Sequence, residues 1–305
     1  MDAREGTKVS SGASSAGPVD LAVVIPVRNG GALFAEQLES LCRQDFTGTF
    51  EVVVADNGST DDTGALVERF ASRLAVRLVD ASQRSGPAHA RNVGAAATDA
   101  QWIAYCDADD VADPSWLRLL FGARHRGDLV AGQLEARCLN DPDVLQARGF
   151  HEVATRLPDG PARFLSYAAS ANLLIRREAL GRIGGWDEDL RYCEDVDLCW
   201  RAQLAGLSLV YEPEAVMHYR FRGTAWDMFR QISNYASREP SLFVRYRRHG
   251  ARRPPWTHLP AQVLWLLSRS PYVVLGGRRR LLWVAVAAEA VGHVRGSVTE
   301  RVYFA

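Results

Sequence analysis

Nearly continuous apolar runs of four to six residues recur from Val19 onward, at 21–26, 50–55, 76–79, 102–106, 129–132 and 171–175. Helix-patterned stretches separate them, at 33–42, 62–73, 89–97, 114–126 and 177–182. A strand with one wet face alternates apolar and polar residues; a strand covered on both faces does not. The pattern therefore predicts an α/β fold, a mostly parallel central sheet flanked by helices. Such sheets bind ligands beyond the carboxyl ends of their strands. Pro26, Asp56 and Asp107 fall at those ends, so one shared site is expected there.

Two acidic clusters stand out. Asp107-Ala108-Asp109-Asp110 follows the run ending at Cys106, and Glu194-Asp195-Val196-Asp197 opens a helix-like stretch that stops at Gly206. Carboxylates two residues apart on an extended segment face one side, where a hard divalent cation can bridge them to a phosphorylated ligand. Acids at a helix start are kept ionised by the helix dipole and can take a proton. The plainer reading of the second cluster is capping, worth only ~0.3–1 kcal/mol, and three acids in four residues exceed that need. Asp56-Asn57-Gly58-Ser59 likewise reads as a turn plus helix cap, a role compatible with lining a pocket.

The formal net charge is zero, but its distribution is uneven. From Tyr219 to the end 15 arginines face four acids, so this tail carries +11 and the first 218 residues −11. An acidic body with a basic tail points to an anionic membrane surface or anionic lipid, with a solvated Arg-rich helix face as the alternative. No nucleic-acid-binding motif accompanies the basic residues, and nucleic acid is not expected as a partner. Five scattered cysteines without a C-x-x-C fit neither a disulfide framework nor a zinc site, and suit reduced thiols in the cytoplasm. Residues 1–19, rich in Ser, Gly and Ala, read as a disordered leader.

Two halves follow, 20–133 and 134–220, and then a basic C-terminal helical region, 221–305. The stretch 139–164 reads as a long loop and candidate substrate lid, and 207–211 and 215–219 as two further short strands. In the tail, apolar stretches at 259–276 and 281–292 flank Arg278-Arg279-Arg280. Both fall short of a clean span of ~20 residues. An in-plane helical hairpin on the inner face of the membrane is expected, anchored by Trp256, Trp265, Trp283 and arginines. Ordinary packing, a homodimer contact and true spanning are the alternatives.

Taken in order, several fragments resemble the inverting, family-two sugar-nucleotide glycosyltransferases with the GT-A fold, of the bacterial envelope or exopolysaccharide type. They are Val23-Val24-Ile25-Pro26-Val27-Arg28-Asn29, Val54-Ala55-Asp56-Asn57-Gly58-Ser59-Thr60-Asp61, Gly86-Pro87-Ala88-His89-Ala90-Arg91-Asn92 and the Asp107–Asp110 cluster. Gly184-Gly185-Trp186-Asp187, the Glu194–Asp197 cluster and Pro213-Glu214-Ala215-Val216-Met217-His218 complete the set. Each fragment is weak alone; their joint order over roughly 20–220 is specific. The resemblance implies a nucleotide-binding half (20–133) and an acceptor-binding, catalytic half (134–220).

On that resemblance, Pro26, Val27, Arg28, Asn29 and Gly86 line the nucleoside pocket, and Asp56 accepts a hydrogen bond from the base. Arg91 contacts nucleoside or phosphate, or else makes a surface salt bridge. Asp107 and Asp109 match the D-x-D metal motif, with Asp107 instead touching the ribose in some relatives. His218 matches a third metal ligand, although a lone His is usually structural. Mn²⁺ or Mg²⁺ is the implied cofactor. Asp195 is the candidate general base, with Glu194 and Asp197 as alternatives. Gly185, Trp186 and Asp187 are assigned to the acceptor, Trp186 as a stacking face or, equally simply, as core.

The implied activity is sugar transfer from a nucleoside-diphosphate donor to a lipid-linked or glycan hydroxyl in cell-envelope polysaccharide synthesis. A catalytically inactive sugar-nucleotide-binding partner is disfavoured because Asp109 and Asp195 are both present. A nucleotidyltransferase would need a Gly-rich loop where Pro26-Val27-Arg28-Asn29 stands, and a dehydrogenase a G-x-G-x-x-G after a strand.

Overall fold

The computed structural model describes residues 19–149 and 154–304. The expected leader lies, but for its last residue, outside them. The first half runs β1 (Leu21–Val27), α1 (Gly31–Cys42), β2 (Phe50–Asp56), α2 (Thr63–Phe70), β3 (Val76–Asp80), α3 (Pro87–Ala96) and β4 (Trp102–Tyr105). It ends with β5 (Val111–Ala112), α4 (Trp116–Gly122) and β6 (Leu129–Glu135). The second half holds α5 (Pro142–Ala147), β7 (Asp159–Gly160), β8 (Phe164–Ser166), β9 (Leu173–Arg176), α6 (Arg177–Arg182), α7 (Glu194–Leu204) and β10 (Leu209–His218). Five helices close the chain: α8 (Ala225–Ala236), α9 (Glu239–Tyr246), α10 (His258–Ser268), α11 (Tyr272–Leu275) and α12 (Gly277–Glu300).

One eight-stranded sheet carries the fold, in the order β3-β2-β1-β4-β9-β6-β10-β5. Its pairings are parallel except where β9 lies between β4 and β6 and where β5 pairs with β10. Successive residues of β1 go to opposite faces. Val23 and Ile25 meet Phe34 and Leu38 of α1 and Trp116 of α4. Val24 joins Ile103, Ala88 of α3 and Leu198 of α7 on the other side. Both faces are buried, which is why the strand runs read as unbroken apolar segments. Gly94 lets α3 close on β1, since a Cβ there would stand 2.4 Å from Val24 Cγ1.

Three expectations are corrected. The two short strands at 207–211 and 215–219 are one strand, β10, whose pairing with β6 shifts between Glu212 and Val216. Pro213 falls inside that shift, where a residue without an N–H cannot serve the ladder. Residues 150–153 of the polar stretch 139–164 lie outside the described residues; the rest contains α5, capped by Asp141 and opened by Pro142, and leads into the β7–β8 hairpin. These pieces are too short to show a period. The apolar stretch 281–292 is only the middle of α12, which continues to Glu300 and is long and apolar enough to cross a membrane. Gly292 and Gly296 do not end it. They let it lie against α8 and α9, where an added Cβ would meet Ser233 O at 2.5 Å and Ser237 O at 2.4 Å.

A buried asparagine fastens the centre of the sheet. Asn172 Oδ1 accepts from Trp116 Nε1 at 2.8 Å, and its Nδ2 donates to Gln133 O and Ala215 O, both at 2.9 Å. Replacing it with leucine orphans a buried indole N–H and two carbonyls, each costing about 1–3 kcal/mol. Asn172→Leu is therefore expected to destabilise the fold by about 2–5 kcal/mol. Urea unfolding at constant m-value measures this, and a loss below about 1 kcal/mol would refute the role.

Candidate active site

The loops after β1, β2 and β3 are laced into one rim. Asn29 adopts the left-handed region (φ 55°), and its Oδ1 accepts from Thr60 N at 2.7 Å while its own N–H reaches Ser59 Oγ. Asn57, buried, donates through Nδ2 to Ala81 O and Arg84 O and accepts from Gly86 N at 2.8 Å. Behind this rim lies a cavity of about 490 Å³ lined by Pro26, Val27, Arg28, Asn29, Gly86, Arg91, Asp107, Asp109, Glu194 and Asp195, among others. Residues read from four separate segments of the sequence thus share one cleft.

Arg91 joins its two sides. The side chain is buried, with Nη1 on Glu194 Oε1 and Nη2 on Asp107 Oδ1, both at 2.9 Å, and its guanidinium lies 4.9 Å over the Trp186 ring. Burial works against its charge, but Asp107 and Glu194 outweigh that and hold its pKa above the ordinary arginine value. Arg91 is a buried ion-pair bridge, not a surface one.

The acids of the first cluster crowd together. Burial, then repulsion from Asp107, raises the Asp109 carboxyl; Arg222, 3.7 Å away, opposes this. Asp110 is fully buried, accepts from Arg220 N at 2.9 Å and serves the turn. Asp107 and Asp109 both line the cavity with that repulsion only partly offset. Their oxygen donors suit a hard divalent cation.

The second cluster is sorted equally clearly. Cys193 holds a left-handed conformation (φ 61°), a strained turn for a residue with a Cβ, which directs the start of α7 at the cleft. Asp195 accepts from Ser170 N at 3.4 Å and from Val196 N at 2.8 Å. Burial raises the carboxyls of Asp195 and Glu194, and Arg91 pulls against it. Asp197 points away, fully buried, with Arg201, Arg245 and the Tyr246 hydroxyl on its oxygens at 2.6–2.7 Å. It has no capacity left to act as a base.

Five expected residues are absent from this lining. Asp56 Oδ1 closes its own turn on Ser59 N. His218 holds Glu135 Oε2 at 3.1 Å through Nδ1. Trp186 is only 2% exposed and edge-on to Tyr105, so Arg91 occupies the face expected to stack on a ligand. Gly185 takes a positive φ beside Asn92 and gives its carbonyl to Arg201, and Asp187 is paired with Arg245. The Gly-Gly-Trp-Asp turn supports the cleft from behind.

A second cavity, about 650 Å³, shares Asp107, Ser170, Asp195 and Tyr235 with the first. Its further walls come from Arg148, Tyr167, Ile232 and, on α12, Leu282, Ala285 and Val286. Arg191, Tyr192, Arg222 and Tyr235 of the first cavity were equally unforeseen. No motif marks them; the basic, apolar tail hinted only at those from residue 221 onward.

Residues 22–184 match the family model described as glycosyl transferase family 2. The chain belongs to that family. It is 31% identical over 241 residues to the pre-mycofactocin glycosyltransferase of Mycobacterium tuberculosis, covering 74% of this chain and 48% of that protein. It is 29% identical over 239 residues to the validoxylamine A glucosyltransferase of Streptomyces hygroscopicus, covering 67% and 56%. The chain thus spans about half the length of these curated relatives. The GT-A fold is shared with the mannosyltransferase PcManGT of Pyrobaculum calidifontis, solved with GDP-Man and Mn²⁺, at a TM-score of 0.66 and 21% identity over 92% of this chain and 87% of that one.

Should Asp195 act as a base, its carboxyl, raised by burial, would lose its proton only above the usual range. The acid limb of the glycosyltransferase rate is therefore expected above pH ~4, the ordinary aspartate value, with activity rising as pH rises. Arg91→Met, which removes the opposing charge, should move the limb higher still. A limb at ~4 in both proteins would contradict the assignment.

Proposed function

We propose that this glycosyltransferase moves a sugar, with inversion, from a nucleoside-diphosphate donor to a hydroxyl acceptor. The observation that supports this best is the shared wall: Asp107 and Asp195 border both cavities. The donor nucleotide occupies the first cavity against residues 26–29 and Gly86, and the acceptor enters through the second. Asp107 and Asp109 hold Mn²⁺ or Mg²⁺, which when bound neutralises charge on the departing diphosphate. Proteins that share the fold have been solved with GDP-Man and Mn²⁺ (PcManGT) and with UDP-GlcNAc (S. aureus TarS), which supports a nucleotide-sugar donor and a divalent ion here.

Asp195 takes the acceptor hydroxyl proton as that oxygen bonds to the anomeric carbon and the bond to the diphosphate oxygen breaks on the opposite face. Glu194 keeps Arg91 in place, and Arg91 positions Asp107. An ionised Asp195 beside Arg91 and the Ser170 N–H needs little rearrangement to accept the proton. Such general-base assistance contributes about 10²–10⁴ in rate.

The tail fits peripheral attachment to an anionic, cytoplasmic-side bilayer. Leu264, Leu267, Val274 and Leu275 on α10 and α11 are 56–84% exposed, and Trp256 is 74% exposed. Arg252, Arg253, Arg269 and Arg278 to Arg280 accompany them in the chain. Apolar side chains enter the interface while each arginine adds about 1 kcal/mol near anionic lipid.

Asp195→Asn is expected to keep donor affinity, measured by thermal shift with a panel of sugar nucleotides and Mn²⁺. Its transfer rate should fall about 10²–10⁴-fold, and the wild-type product should show inverted anomeric configuration by NMR. Wild-type turnover in the variant, or retention, would refute the mechanism. Separately, Leu264→Gln/Leu267→Gln/Val274→Gln should reduce co-sedimentation with phosphatidylserine vesicles at least tenfold. Undiminished binding would remove α10–α11 from the membrane contact.

A further inference from the structure

A second cluster of metal-ligating side chains lies among the C-terminal helices, apart from the Asp107–Asp109 pair. His258 opens α10, and Glu289 and His293 stand four residues apart on α12, on one helix face. Their ligand atoms all lie within 4.8 Å of one another, with His258 Nε2 3.8 Å from Glu289 Oε1. The two imidazole rings are 5.9 Å apart between centroids.

His293 supplies the deciding observation. It is 2% exposed, and its Nε2 bonds Glu239 Oε2 at 3.0 Å. Its Nδ1 is buried and has no hydrogen-bond partner among the described residues. A buried polar atom left unpaired costs about 1–3 kcal/mol, so a helix interior retains one at a cost unless something binds there. In the neutral tautomer that donates Nε2–H to Glu239, the lone pair sits on Nδ1, and a metal ion there would displace the proton that Glu239 otherwise favours. A carboxylate holding the far nitrogen of an imidazole is the arrangement that orients histidine ligands in metal sites. The Glu135–Cys138–His218 group lacks this feature: its His218 Nδ1 is already bonded to Glu135, and Cys138 is exposed.

We propose that His258, Glu289 and His293 bind a borderline divalent ion of the Zn²⁺ class, with Glu239 as the carboxylate that orients His293. Two imidazoles and one carboxylate are a zinc donor set, whereas the oxygen-only Asp107–Asp109 pair suits Mg²⁺ or Mn²⁺. Ligands about 2.0–2.1 Å from one ion lie about 3.3 Å apart, so closure of at most about 1.5 Å between ligand atoms that now lie within 4.8 Å completes the site. The fourth position goes to water. The ion ties α10 to α12 and, through Glu239, to α9. Glu239 and Glu289 also line the second cavity, so the clip fixes a wall of the chamber assigned to the acceptor.

The test uses the 305-residue chain freed of metal by chelation, in the Asp109→Asn background so that the cleft does not compete. Calorimetry with ZnCl₂ and visible absorption with CoCl₂ should report one equivalent, the cobalt spectrum being that of a four-coordinate ion. Zn²⁺ should raise the melting temperature. His258→Asn, at a partly exposed position, should abolish both signals, and Glu239→Gln should weaken binding about 10–100-fold. His293→Ala should behave as His258→Asn does; if it fails to fold, His258→Asn decides alone. Absence of saturable Zn²⁺ binding, or one equivalent retained in His258→Asn, would overturn the proposal and leave the cluster as ordinary His–Glu ion pairs.

Discussion

The Arg91 guanidinium, pinned between Asp107 and Glu194 over the Trp186 ring, is the interaction on which the cleft depends. Asp107 follows β4 in the first half and Glu194 opens α7 in the second, so this one side chain bridges them. Removing charges from water is expensive, and a buried pair repays that only with good geometry. Here two carboxylates and an aromatic face share one cation, and breaking such a set by removing a partner typically costs about 3–5 kcal/mol. The supports extend outward. Trp186 is held by the Gly184–Gly185 turn, Arg201 grips that turn through two carbonyls, and Asp197 fixes Arg201. The same acidic cluster therefore supplies a cleft-facing pair and a structural anchor.

This division explains how far the sequence could be read. The sheet was legible because β1, β2, β4 and β6 are buried on both faces, and burial leaves a continuous apolar signature. The cleft residues at strand ends were legible because loop geometry there depends on Asn, Asp and Gly at fixed offsets. For Trp186 and Asp187 the motif left the choice between cavity and support open, because it reports which residues recur together, not which of them border a cavity. Asp197 differed from Asp195 only in direction: on a helix, residues two apart lie on different faces, so one meets the cleft and the other Arg245 and Tyr246. Asn172 left no trace at all, since a lone polar residue inside an apolar run looks like an imperfection until its three partners are seen.

The tail poses the opposite problem. Its composition declared that something basic and apolar was needed, but helix α12 serves several demands at once. Gly292 and Gly296 give it a close seat on α8 and α9, Leu282 and Val286 face the second cavity, and Val298 faces solvent. A helix meeting three environments has no single apolar stripe, and so periodicity could not assign its faces.

That seating has a consequence for specificity. The first cavity is walled by strand-end loops of the sheet, whereas the second takes much of its lining from α8 and α12. Substitutions on α12 can thus reshape the chamber assigned to the acceptor without disturbing Arg91, Asp107 or Asp109. The proposed membrane-facing residues of α10 and α11 join the same helix unit, and Trp283 Nε1 donates to Leu266 O to tie α12 to α10. If α10 and α11 meet a bilayer as proposed, that contact would adjoin, through α12, the helices that line the second cavity.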